Sequence, residues 1–171
     1  GAMNCGKTTA LIQVAYNYFE RDMKVVIIKP SIDTKGDYNI VSRLGVTKEV
    51  DYLVNETDDI PAIKNVDCIL VDEAQFLTKK QVDQLYLITK LDKIPVICYG
   101  LRSDFKTNGF EGSIRLFEIA DTIEEMKTIC RCGKKATLNV RKVNGNIVFD
   151  GNQVAIDTIG DVTYESMCGE C

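Results

Sequence analysis

A mixed α/β fold, a parallel sheet flanked by helices and followed by a small β-rich C-terminal domain, is predicted by three features of the 171-residue sequence. It opens on G-x-x-x-x-G-K-T over residues 1–8, the pattern of a phosphate-binding loop, or P-loop. Three short, β-branched and continuously apolar runs, 24–30 (KVVIIKP), 67–73 (DCILVDE) and 94–100 (IPVICYG), suit a parallel sheet covered on both faces. Beyond residue 123 the texture changes to short extended pieces that carry two close cysteine pairs.

In the opening loop, Gly1 and Gly6 permit backbone conformations that a side chain would block, so the N–H groups of Gly1, Ala2, Met3, Asn4, Cys5 and Gly6 can curl around an anion. Lys7 can reach the β- and γ-phosphates of a nucleotide, and the Thr8 hydroxyl can ligate Mg²⁺. From Thr9 to residue 21, Leu11, Val14, Ala15, Tyr18 and Phe19 fall at helical spacing, so the loop leads into an amphipathic helix whose N-terminus favours phosphate. The bland alternatives are a chance match in a glycine-containing turn and a cloning remnant at residues 1–3. Such a loop normally follows a buried strand, and the expectation is that the natural protein carries several apolar residues before Gly1.

Residues 24–30 and 67–73 read as the next two strands, residues 79–91 as a helix, and residues 94–100 as a third strand. The stretch 31–59 is polar and turn-rich, with weaker elements at 39–44 and 50–54, and segments after strand ends are where α/β sheets place binding residues. A last helix over 111–121 closes a nucleotide-binding domain expected to span 1–122. The remainder, 123–171, contains MKTI, KATLNVRKV and, after the Asn144-Gly145 turn signal, NIVF. There is no internal repeat or low-complexity tract.

Apolar residues make up 45% of the chain and charged residues 27%, a globular balance. No run approaches the roughly 20 apolar residues that cross a bilayer, and no secretory leader is visible, so no membrane partner is expected. A net charge of −4 argues against a general nucleic-acid binder. Lys134, Lys135, Arg141 and Lys142 are the exception, and read as readily as a solvated face. With no histidine, proton transfer falls to carboxylates and metal binding to thiolates.

The run VDEAQF ends the second strand with two carboxylates. Asp72 is placed to hold Mg²⁺ beside Thr8, and Glu73 to accept a proton from an attacking hydroxyl near the γ-phosphate. The alternative is an acidic strand end that caps the next helix. Among seven cysteines, Cys68 and Cys98 read as small core residues and Cys5 as a filler in the loop. Cys130, Cys132, Cys168 and Cys171, a CxC and a CxxC, supply four thiolates for a closed, structural tetrahedral Zn²⁺ in a reducing compartment, against the alternative of free or disulfide-bonded thiols. In residues 99–110, Leu101, Phe105 and Phe110 could wall a flat base, though such residues are more often core. Asp33 could bind a sugar hydroxyl or simply serve a turn.

Taken together, GAMNCGKT, KPSIDTK, VDEAQF, CYGLRSDF, the CxC and CxxC pairs and the late YESMC closely resemble the cytosolic thymidine kinase family, P-loop proteins with a zinc-bearing lasso domain. The resemblance implies Glu73 as the base that removes the 5′-hydroxyl proton of thymidine, with Asp72 assisting magnesium. It implies Gln75, Phe76, Leu101, Phe105 and Phe110 at the substrate, Asp33 and Lys35 near the sugar and phosphates, and Tyr164 in the lasso over the nucleoside. ATP is the implied donor, thymidine or deoxyuridine the acceptor, dTTP a feedback inhibitor, and the state a cytoplasmic homotetramer. Two departures stand out: the lasso reads QVAIDTIGDVTY where relatives usually carry a Gly-Gly pair, and Lys35 replaces the common arginine, keeping charge but losing the planar fork. The competing readings are a zinc-stabilised P-loop switch or motor module and a zinc-ribbon nucleic-acid module on a degenerate P-loop domain.

Overall fold

The computed structural model describes residues 1–32, 38–153 and 161–171, which form two compact units. One comprises residues 6–100 and 111–123; the other comprises residues 1–5, 101–110 and 124–171.

The larger unit begins with α1 (Lys7–Phe19), followed by β1 (Val25–Pro30), β2 (Asn39–Val41), β3 (Thr47–Glu49), β4 (Tyr52–Val54) and β5 (Cys68–Val71). A 3₁₀ turn at Ala74–Phe76 leads to α2 (Lys79–Leu87), a π turn at Ile88–Asp92, β6 (Val96–Cys98) and α3 (Glu111–Ile119). Four strands make a wholly parallel sheet in the order β4-β1-β5-β6. The three apolar runs are its β1, β5 and β6, and the helical patterns are α1, α2 and α3, with ends within a few residues of the expected ones.

The continuous apolarity of the strands has a direct cause. Side chains alternate across a strand, and here both faces are covered. Ile28, Ile69 and Val71 face a core with Val82, Leu85 and Ile94, whereas Ile27, Cys68 and Leu70 face a core with Leu11 and Ala15 of α1. The weak segments at 39–44 and 50–54 resolve differently. β2 and β3 form an antiparallel hairpin, and β4 joins the main sheet beside β1, pairing Ile28 with Tyr52 and Pro30 with Val54. α2 starts on a capping box: Gln81 N–H donates to the Thr78 hydroxyl at 3.2 Å, and Thr78 N–H donates to Gln81 Oε1 at 3.0 Å.

The smaller unit contains β7 (Thr128–Ile129) paired with β8 (Lys135–Ala136), then β9 (Leu138–Val143), β10 (Asn146–Val148) and β11 (Val162–Met167). The last three form an antiparallel sheet in the order β10-β9-β11. Asn144 and Gly145 both take positive φ, 49° and 81°, as the tight turn between β9 and β10 requires. Cys130, Ala136, Met167 and Cys168 form a small core.

Candidate active site

Gly6 stands at φ 81° and immediately precedes α1, so it turns the chain from the loop into the helix in a conformation that a Cβ disfavours. Lys7, Thr8 and Thr9 are the first residues of that helix, where backbone N–H groups lack intrahelical partners and attract anions. Earlier in the loop, Asn4 also has positive φ, 61°, as in the curled backbone of an anion-binding concavity.

In the same unit as α1, β5 delivers Asp72 directly after Val71. Asp72 is only 3% exposed. Its Oδ2 accepts from the Thr8 hydroxyl at 3.3 Å, and its Oδ1 accepts from the Glu73 backbone N–H at 3.1 Å. Burial first, and the neighbouring Glu73 charge second, push the Asp72 carboxyl up to about 6. A buried carboxylate raised in this way, against a hydroxyl at a helix N-terminus, is suited to sharing a divalent cation with that hydroxyl.

Glu73 occupies the left-handed region at φ 51° and ψ 36°, a costly conformation for a residue with a Cβ. Its side chain caps no helix, since α2 is capped by Thr78, so the helix-capping alternative for this pair does not hold. Glu73 Oε2 instead accepts from Gln75 Nε2 at 2.5 Å, and Gln75 is itself buried. The Ala74 N–H donates to the Tyr99 carbonyl at 2.9 Å, which ties the turn to the end of β6. Strain and tethering together hold this carboxylate in one place. Phe76, half-buried, ends the turn.

Within the smaller unit, Phe105 and Phe110 are buried and Leu101 is half-buried in the 101–110 segment. Sequence reasoning missed a residue that packs on one of them. Arg141, read as a possible member of a solvated basic face, is 3% exposed. Its guanidinium carbon lies 3.8 Å from the Phe105 ring centre, its Nε donates to the Tyr164 hydroxyl at 2.9 Å, and one terminal nitrogen donates to the Gln153 carbonyl at 3.2 Å. The signal was present but faint: Arg141 follows alternation with Asn139 along β9, which puts both on one face. Of the other three cations, Lys134 and Lys135 lie at the surface, paired with Glu170 and Glu125, and Lys142 is half-buried against Glu165.

The four C-terminal cysteines converge. Cys130, Cys132, Cys168 and Cys171 place all four Sγ atoms within 4.8 Å of one another, with Cys132 and Cys168 Sγ 3.6 Å apart. All four are unbridged. Zn–S bonds of about 2.3 Å give a tetrahedron with S···S edges of about 3.8 Å, so the set fits zinc. Backbone N–H groups support the thiolates: those of Cys132 and Cys168 hold the Cys130 thiol below its ordinary range, and those of Glu170 and Cys171 do the same for Cys168. Asp33 and Lys35, and the lasso residues 154–160, lie outside the described residues.

Comparison with known proteins gives one consistent result. The family model described as Thymidine kinase matches residues 1–171. A thymidine kinase of Idiomarina loihiensis is 44% identical over 175 residues, covering 98% of this chain and 90% of that protein. One from Rhodopirellula baltica is 45% identical, covering 97% and 82%, and one from Enterobacteria phage T4 is 43% identical, covering 98% and 89%.

The Asp72 environment makes a stability prediction. In the unfolded chain this carboxyl ionises near 3.8, whereas the native state holds its proton up to about 6. The cost of the buried charge is therefore absent below about pH 4 and complete above about pH 6, where it amounts to about 3 kcal/mol. Asp72→Asn is expected to stabilise the ligand-free protein by about 2 kcal/mol at pH 7.5 and not at pH 4, measured by urea unfolding. Equal effects at the two pH values would exclude a buried Asp72 charge as the cause.

Proposed function

The chain belongs to the thymidine kinase family, and on that premise we propose that it transfers the γ-phosphoryl group of ATP to the 5′-hydroxyl of thymidine or deoxyuridine in nucleotide salvage. The observation that carries this reading, beyond the family match, is the Thr8 hydroxyl on the buried Asp72 carboxylate at 3.3 Å, with the strained and tethered Glu73 next in the chain. A match over all 171 residues favours the kinase over the switch or motor reading.

In the proposed reaction, the backbone amides of the loop from Gly1 to Thr9 hold the donor phosphates, and Lys7 offsets charge on the transferred group. Thr8 and Asp72 hold magnesium, which when bound neutralises phosphate charge. Glu73 accepts the 5′-hydroxyl proton through its second oxygen while Gln75 holds the first. The new O5′–P bond forms as the bond to the ADP oxygen breaks, so the protein contributes mainly position and electrostatics. Phe76, Leu101, Phe105, Phe110 and Tyr164 receive the nucleoside, with Asp33 and Lys35 toward its sugar and the phosphates. Cys130, Cys132, Cys168 and Cys171 hold a structural zinc. We divide these roles between a nucleotide-binding domain, 1–122, and a lasso domain, 123–171. We further propose a cytoplasmic homotetramer inhibited by dTTP. Among the described residues no helix is long and apolar enough to cross a membrane.

The test is an acceptor screen with Mg-ATP and each common nucleoside, following 5′-monophosphate by chromatography. Selective conversion of thymidine and deoxyuridine is expected, and inertness toward every nucleoside in protein that binds ATP would overturn the reading. Glu73→Gln should retain ATP binding while transfer falls about a hundredfold or more; near-normal transfer would remove Glu73 from the base role. Cys132→Ser is expected to abolish stoichiometric zinc, read by metal analysis of the purified protein, and full retention would contradict the ligand set.

A further inference from the structure

The first half of the phosphate loop is held by side chains of the C-terminal sheet. Met3 N–H donates to Asn139 Oδ1 at 2.7 Å, and the Met3 carbonyl accepts from the Ser166 hydroxyl at 2.5 Å. One residue on, the Asn4 carbonyl accepts from the Thr128 hydroxyl at 3.3 Å. Gly1 is seated as closely: a Cβ on it would run into the Met126 carbonyl oxygen. Asn139 and Ser166 are directly opposite each other in the β9–β11 ladder, and each is 6% exposed. Both polar groups of the Met3 peptide are thus satisfied by one buried cross-strand pair, more than 130 residues away in sequence.

Asn139 has a second bond. Its Nδ2 donates to the Ser103 carbonyl at 2.9 Å, within the segment that also carries Leu101, Phe105 and Phe110. A side-chain amide is one of the few groups that can accept from one backbone segment while donating to another. Asn139 uses both capacities, and buried hydrogen bonds of this kind fix geometry because breaking either leaves an unsatisfied group.

We propose that Asn139 and Ser166 are positioning residues of the phosphate-transfer site. Together they fix the Met3 peptide and so preorganise the loop for the donor nucleotide, and Asn139 alone also ties the loop to the nucleoside-binding segment 101–110. This assignment rests on the kinase reading above. Without the pair, the loop must be ordered at the moment of binding, and that entropy is subtracted from nucleotide affinity. Without Asn139, the acceptor segment also loses its Ser103 bond, a tether that it shares with the loop.

The two residues therefore separate in their kinetic effects. In the full chain, affinity for Mg²⁺ with a fluorescent ATP analogue is measured with no nucleoside present, alongside KM for ATP and for thymidine. Ser166→Ala is expected to weaken nucleotide binding about tenfold while the thymidine KM stays within about twofold. Asn139→Ala is expected to raise both about tenfold, and Ser166→Thr, which keeps the hydroxyl, to restore nucleotide affinity to within about threefold of the parent. Unchanged nucleotide affinity in both alanine variants, with a native melting temperature, overturns the assignment. So does an equal loss for nucleotide and thymidine in Ser166→Ala, which would reflect general loosening. Should the variants fail to fold, hydrogen exchange in the unaltered protein decides: the Met3 amide must be protected without nucleotide, and exchange at the rate of an open loop rejects the anchor. The fluorescence arm needs no acceptor, so a protein that binds nucleotide but phosphorylates no nucleoside refutes the kinase reading separately.

Discussion

A carboxylate forced out of water at the end of a fully buried strand is the constraint on which the site depends. All four residues of β5 are buried, and the chain leaves that strand at Asp72 before it reaches solvent. The charge is eased by the Glu73 amide and the Thr8 hydroxyl, which donate to it, and by the positive charge of Lys29. Satisfying Asp72 from the very next residue bends the chain, and Glu73 takes up that bend in its left-handed conformation. The site therefore stores cost in two adjacent residues, and the apolar packing of the parallel sheet on both faces offsets it.

The C-terminal sheet contributes a second ordered set of polar groups. On β9 and β11, Asn139 faces Ser166 and Arg141 faces Tyr164, so two cross-strand pairs stand side by side on the ladder. The first pair grips the Met3 peptide, while Arg141 lies against the Phe105 ring and bonds the Tyr164 hydroxyl. Buried polar side chains on a sheet this small are unfavourable unless each is satisfied, and Asn139, Arg141 and Ser166 are. The cysteine cluster lies at the end of the same sheet, with Cys168 directly following β11. A closed tetrahedral metal there would fix the ends of strands whose register determines where Asn139 and Ser166 meet.

Much of this was legible in the sequence because its causes are local. The loop pattern, the helix after it, the apolar runs of β1 and β5, the Asn144-Gly145 turn and the paired cysteines each express short-range sterics, periodicity or ligand spacing. The segment around Tyr52 was legible only as a weak extended element, since a three-residue strand gains its identity from the partner β1. Arg141 was misread as a candidate for the solvated face because composition registers charge and cannot register what stacks on it.

The sequence by itself determined the kinds of chemistry available: a loop for phosphate, two carboxylates at a strand end, four thiolates in two pairs, and no histidine to do their work. Tertiary structure decided which of those groups are strained, buried or anchored. The burial that raises the Asp72 carboxyl to about 6, and the bonds from Asn139 to Met3 and Ser103, depend on neighbours distant in sequence. Desolvation and hydrogen-bond satisfaction are properties of surroundings, and residue type alone does not specify them.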